Sequence, residues 1–197
     1  MSALDTTTWY AVRATGLTAE AMLLATVIVG LLKTTKVLAG RPRPPWLVDL
    51  HRAVGALTLG WTGLHIATLM LDRYVPSGWA DIVIPLHQRW HPMAVAAGVV
   101  SLWMLVLVQG SSWLQRWLPR RVWVKLHLLA LPMTVLAMAH GLTAGADRRA
   151  LPVLAFDVVG AALVLFLLSF RLLARPASRV PAAPKKPVTP NAGVGAA

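Results

Sequence analysis

The sequence predicts an all-α membrane protein: five transmembrane helices in a bundle, N-terminus outside and C-terminus cytoplasmic. Three observations lead there. Hydrophobic residues make up 57% of the chain and charged residues only 13%, where a soluble domain has about 45–50% and about 25%. Mean hydropathy is +0.64. The apolar residues gather into five runs, near 17–38, 48–71, 92–110, 122–141 and 151–173, and each has about the 20 residues that cross a hydrocarbon core of about 30 Å. Lys and Arg fall on alternate sides of these runs.

The basic residues set the orientation. Lys33, Lys36, Arg41, Arg43 and Arg52 surround the first connection, and Arg116, Arg120, Arg121 and Lys125 the third. Arg171, Arg175, Arg179, Lys185 and Lys186 lie at the C-terminal end. The other side has Arg13, Arg73, Arg89, Arg148 and Arg149, diluted by Asp5, Glu20, Asp72, Asp81 and Asp147. The positive-inside rule then makes the first group cytoplasmic. The net charge of +12 is a topology signal, so no nucleic-acid partner is expected. The chain is expected as a multi-pass protein of the cell membrane, of the bacterial inner-membrane kind.

The runs can be justified in order. Residues 1–16 read as an extracytoplasmic arm, and the first run has Glu20 and Lys33 at its two ends. A signal peptide is the competing reading, but no basic n-region precedes the run and no small-residue cleavage site follows it. The second run holds His51 and His65, the fourth His127 and His140, and the fifth Asp157. Trp46, Trp79, Trp90, Trp113, Trp117 and Trp123 sit near run ends, as an interfacial belt requires. Residues 17–173 form one membrane domain with no visible internal repeat. The Pro-, Ala- and Lys-rich segment 174–197 reads as a disordered cytoplasmic tail.

The histidines carry the chemistry. Ionisable residues within a membrane are costly and point to function. A lone buried His is better explained by a hydrogen bond between helices, but four on two runs at matched spacing are not. His51 and His65 are 14 residues apart, and His127 and His140 are 13 apart. The two runs point the same way, so His51 faces His127 at the inner end and His65 faces His140 toward the outer end. At 1.5 Å per residue the levels are about 20 Å apart. Two facing imidazoles at each level can hold a six-coordinate haem. Fourteen residues return to within about 40° of the starting helix face. Gly55, Thr58 and Thr62 lie on that face, small enough for a flat macrocycle to rest against. Thirteen residues fall about 140° off, and Pro132 must distort the fourth helix to compensate.

Other residues are candidates of lesser weight. Arg52, next to the inner ligand, is expected to pair with a haem propionate or to anchor the helix end. Arg73, Arg89, Arg148 and Arg149 stand ready for outer propionates. His87 and His91, four apart, would share a helical face, either as ligands of an outer metal ion or as two interfacial histidines that hold no ligand. Asp157 is expected near the level of His140, as a hydrogen-bond acceptor, proton carrier or salt-bridge partner. With no Cys, disulfides, thiolate metal sites, iron–sulfur clusters and Cys nucleophiles are excluded.

The pattern His51-Arg52-x-x-Gly55 followed by His65, then Leu126-His127 followed by His140-Gly141, resembles the ferric reductase-like transmembrane domain. That superfamily includes ferric reductases, NADPH oxidases and the haem-binding membrane subunit of a periplasmic methionine sulfoxide reductase system. The resemblance spans residues 17–173 and implies two stacked b-type haems ligated by the paired histidines. The chain departs from the pattern in having five spans where six are common, and in lacking the oxidases' flavin and nucleotide domain. No G-x-G-x-x-G motif follows a strand-like run, so any flavin or quinone is supplied by a partner or the membrane.

The functional expectation is electron transfer from a cytoplasmic-side donor, a quinol or flavoprotein, through two bis-His haem b groups. The acceptor is extracytoplasmic: ferric iron, oxygen or a redox partner protein. The chain would be the electron-conducting membrane part of an oxidoreductase. The alternative is a small metal or proton transporter using the same histidines, which calls for inverted repeats or broken helices.

Overall fold

The computed structural model describes residues 3–35 and 45–173. Within them run α1 (Ala3–Thr34), α2 (Trp46–Leu71), α3 (Trp79–Val83), α4 (Pro92–Trp113), α5 (Arg120–Leu128), α6 (Ala130–Ala144) and α7 (Leu151–Leu173). Five spans are long and apolar enough to cross a membrane, with α5 and α6 together forming the fourth. The protein is a multi-pass membrane protein, all-helical among the described residues. The expected tail 174–197, and Lys36, Arg41 and Arg43, lie outside the described residues.

The first span differs from expectation. The helix begins at Ala3 and its membrane segment at Asp5, not near residue 17. Glu20 is therefore in mid-helix and not at its end. A carboxylate interrupting an apolar run looks like a boundary, but here residues 5–16 continue the helix against α2. Thr15 is buried there, and its hydroxyl is 3.1 Å from that of Thr68.

The fourth span is broken. The N–H of Leu129 donates to Leu126 O at 3.1 Å, a tight i−3 turn. Pro132 has no N–H to offer Leu128 O. His127 and His140 thus sit on separate helices, which is how a 13-residue spacing serves two levels. Before α4 the chain is not helical. His91 has φ 45°, Leu86 φ 67°, and Pro92 follows, and a residue preceding proline is disfavoured in the α region.

Two antiparallel hairpins, α1/α2 and α4/α5–α6, run in the same sense, and α1 also packs on α6 and α7. Arg13 donates to Asp147, and Thr8 to Asp72 at 3.4 Å, so connections 72–91 and 145–150 share one end of the bundle. The core joins Leu23, Val27 and Leu31 of α1 to Leu105, Met133 and Leu167. Leu57, Leu64, Trp103 and Phe166 point outward, where apolar surface meets lipid.

Candidate functional site

The structure brings His51 and His127 face to face. Their ring centroids are 5.9 Å apart with planes at 76°. An imidazole nitrogen bonds a first-row metal at about 2 Å, so two rings across one ion have centres about 6 Å apart. His65 and His140 line a common cavity of about 570 Å³ near the 72–91 end. That volume is within the range of about 300–1,000 Å³ typical of ligand and cofactor sites.

Each ring is held from behind. His51 Nδ1–H donates to Thr26 O at 3.0 Å, His65 Nδ1–H to Val12 O at 3.1 Å, and His140 Nδ1–H to Ala94 O at 2.8 Å. A carbonyl only accepts, so the proton is on Nδ1 and the Nε2 lone pair is free. His127 Nδ1 lies 3.4 Å from Ser112 Oγ. The Ser112 hydroxyl already donates to Val108 O at 2.8 Å, so here too Nδ1–H is the donor. Trp123 stacks on His127 at 5.0 Å and 21°.

A further pattern on α1 and α4 makes this geometry. Four residues beyond each accepting carbonyl stands a glycine: Gly16 after Val12, Gly30 after Thr26, Gly98 after Ala94. A Cβ at Gly16 would lie 3.1 Å from His65, at Gly30 3.0 Å from His51, and at Gly98 2.8 Å from His140. The bare helix surface lets each imidazole reach the backbone. The fourth position, after Val108, is Ser112, whose hydroxyl relays the contact. Gly16 and Gly30 are 14 residues apart, as are Gly98 and Ser112, the same interval as His51 and His65. The sequence expectations rest on the histidine-bearing runs alone, which do not carry this pattern. They also include no repeat, whereas the two hairpins repeat one plan: acceptors on the descending helix, histidines on the returning one.

The remaining candidates fare variously. Thr58 and Thr62 line the cavity. Thr58 is 2% exposed and lies 3.1 Å from Thr26 Oγ1. Gly55 is buried between Thr26 and Gln109, so it serves helix packing. The Arg52 side chain is 71% exposed and pairs loosely with Asp49 at 3.7 Å, as a helix-end anchor does. Arg148 lines the cavity, while Arg73, Arg89 and Arg149 do not. His87 and His91 are not on one helical face, because residues 84–91 form turns and bends. His87 Nδ1 is 2.7 Å from Asp81, whereas His91 packs edge-on against Trp90 at 4.5 Å. The Gly78 N–H and His87 together hold the Asp81 carboxyl below the ordinary carboxylate range. Among the described residues no group of three or more His, Cys, Asp or Glu is arranged for a metal ion. Asp157 is buried, and Glu20, which the sequence reading treated as a boundary, lines the cavity.

Comparison with known proteins adds the family. No curated protein and no solved structure matches the chain. A family model described as ferric reductase like transmembrane component matches residues 15–138. That stretch takes in α2, α4 and α5 with His51, His65 and His127, and ends two residues before His140. It covers well over half of the chain, and with the paired histidines on parallel helices it makes the assignment plain: the protein belongs to the ferric reductase-like transmembrane component family.

Proposed function

We propose that the protein conducts electrons across the membrane through two b-type haems, one ligated by His51 and His127, the other by His65 and His140. The observation that carries this reading is the common orientation of the four imidazoles. Every Nδ1–H is committed to an acceptor and every Nε2 is left as a ligand. The 5.9 Å ring pair and the 570 Å³ cavity fit the group in size. A buried Trp123 Nε1 without a hydrogen-bond partner beside His127 fits a site with a further polar occupant. Bound there, the haems supply one-electron reduction and oxidation of iron.

The chain's own residues do the rest. The carbonyls of Thr26, Val12 and Ala94 fix tautomer and ring direction and raise imidazole basicity. Leu23, Leu105 and Met133, between the levels, keep water out. In the proposed topology the 72–91 end is extracytoplasmic, so His51–His127 is the entry and His65–His140 the exit. A negative-inside potential favours that direction by about 2.3 kcal/mol per charge per 100 mV. The donor is a quinol or a flavoprotein, and the acceptor ferric iron, oxygen or a periplasmic partner protein. The break at Leu129 serves register here, so it lends the transporter reading no support.

A pyridine haemochrome assay on the purified chain tests the reading, with about two haems per chain expected. A value near zero overturns it. In right-side-out vesicles, an impermeant acceptor such as ferricyanide should be reduced from an internal donor. Reaction only from the cytoplasmic face would invert the topology.

A further inference from the structure

Two carboxyl groups inside the membrane each hold one buried oxygen without a hydrogen-bond partner among the described residues, Glu20 Oε1 and Asp157 Oδ1. Asp157 is 3% exposed. The helices that carry them pack in parallel register. Gly160 faces Leu24, where a Cβ would be 2.8 Å from Leu24 Cδ1, and Arg171 donates to Thr34 Oγ1 at 3.2 Å. These contacts offset α7 from α1 by 136 and 137 residues, and Asp157 is offset from Glu20 by 137. The two carboxyls therefore share one level, a turn toward the 72–91 end from the Leu24–Gly160 contact. Glu20 also faces the cavity, and its Oε2 would be 2.8 Å from a Cβ at Gly141.

We infer that Glu20 and Asp157 form a protonation site that takes up a proton from the 72–91 side when the haem at His65–His140 is reduced. The inference rests on the haem reading above. Two ionised carboxylates at one level of a membrane, with no cation between them, are untenable. The pair must hold a proton already, and it has room for a second. Reduction adds one electron to the iron. A proton from the water at the cavity mouth then binds the free carboxylate oxygen, so the cavity's net charge is unchanged.

Of the other ionisable groups that line the cavity, Tyr74, Asp81, His91 and Arg148 belong to the 72–91 and 145–150 connections and not to the helices beside the pair. On α1, Arg13 is committed to Asp147. His65 on α2 and His140 on α6 hold their Nδ1 protons against carbonyls. Asp72 stands at the mouth, where it accepts from the Val75 N–H at 3.2 Å. α4 has no charged residue, and Lys33 and Arg171 lie 13 or 14 positions deeper. Asp49 and Arg52 are at the opposite end of α2 from His65, and Asp5 is 15 positions nearer the start of α1.

Redox titration of the full, haem-loaded chain across several pH values tests this. The spectral component lost in His65→Ala should have a midpoint potential that falls with rising pH, toward the ~59 mV per unit of one proton per electron. Glu20→Gln should flatten that slope, Asp157→Asn should reduce it, and the His51–His127 component should ignore both. An unchanged slope in both variants overturns the proposal, as does a potential that follows sodium or potassium concentration and not pH. Should Glu20→Gln fail to accumulate, reduced-minus-oxidised infrared spectra of the native chain give a second reading. A protonated-carboxyl band that shifts in D2O and is missing in Asp157→Asn is expected, and no such band overturns the proposal. Two haems with flat potentials would sink this inference alone, whereas a chain that takes up no haem sinks the functional reading itself.

Discussion

The two histidine levels follow one plan and are finished differently. At the level of His65 and His140 both rings donate to backbone carbonyls, at 3.1 and 2.8 Å, across glycines. At the other level His51 follows suit, but His127 reaches a serine hydroxyl at 3.4 Å and leans on Trp123. A carbonyl within a helix cannot turn away, whereas a hydroxyl can. Three rings therefore have their tautomer set by the fold, and His127 has it set by one side chain. Single substitutions should tell the levels apart.

The largest effect is loss of a ligand. His65→Ala or His140→Ala should each halve the haem content and remove one spectral component, while His51→Ala and His127→Ala remove the other. If His51→Ala and His140→Ala abolish the same component, the pairing is wrong. Next come the glycines. Gly98→Ala puts a Cβ 2.8 Å from His140 Nδ1, and overpacking of this kind costs about 1–3 kcal/mol. It should lower occupancy of the His65–His140 site more than Gly16→Ala, whose nearest contact is 3.1 Å. Gly60→Ala, with nothing within 4 Å, should leave the haem optical spectrum and content alone. Equal effects at Gly98 and Gly60 would remove the glycines from the argument.

Ser112 sharpens the contrast. Ser112→Ala leaves the His127 Nδ1–H without its acceptor, at a cost of about 1–3 kcal/mol. Losses of about 10–100-fold in affinity are usual when such an outer partner goes, and here they should be confined to the His51–His127 haem. Ser112→Gly should be milder than Ser112→Ala, because Val108 O is then open to the ring as the other three carbonyls are. Equal losses would mean that the hydroxyl itself matters, and not access to an acceptor.

The smallest effect concerns the 72–91 connection. The Asp81 carboxyl is held below its ordinary range, so its contribution is present above the unfolded value of about 3.9 and is lost as pH falls through the lower folded value. Limited proteolysis of this connection should be flat between about pH 5 and 8 and quicken only in strong acid. Asp81→Asn should show the acid behaviour at neutral pH.

Much of the bundle was legible because lipid demands long apolar runs. The bounds of the last span, 151–173, are legible although Asp157 stands inside it, because apolar residues flank that carboxylate on both sides. The first was started too late because Glu20 looked like an end, and a carboxyl facing a cavity leaves no mark that separates it from a boundary. The two levels of histidines are legible from their spacing along the runs, whereas the turn that brings both His127 and His140 inward is not. The break at Leu129 was foreshadowed by Pro132, but its form was not, since proline marks a distortion without giving its direction. Gly16, Gly30, Gly98 and Ser112 were hidden for another reason. They touch the rings from helices that carry no ligand, and only the repeated interval of 14 announces them. The expected helical face for His87 and His91 failed locally, because Pro92 and two left-handed residues keep that segment from coiling.

Each accepting carbonyl lies in the same hairpin as the histidine it orients: Val12 and Thr26 with His65 and His51, Ala94 with His140. Ser112 and His127 obey the same rule. During synthesis the first hairpin can thus emerge with its two rings already aimed, before any residue of the second has left the ribosome. Biogenesis then reduces to joining two prepared halves, around the two haems of the proposed function. A gene split within the 72–91 connection should accordingly yield two fragments that reassemble in the membrane and recover both haems, whereas a split within α2 should not.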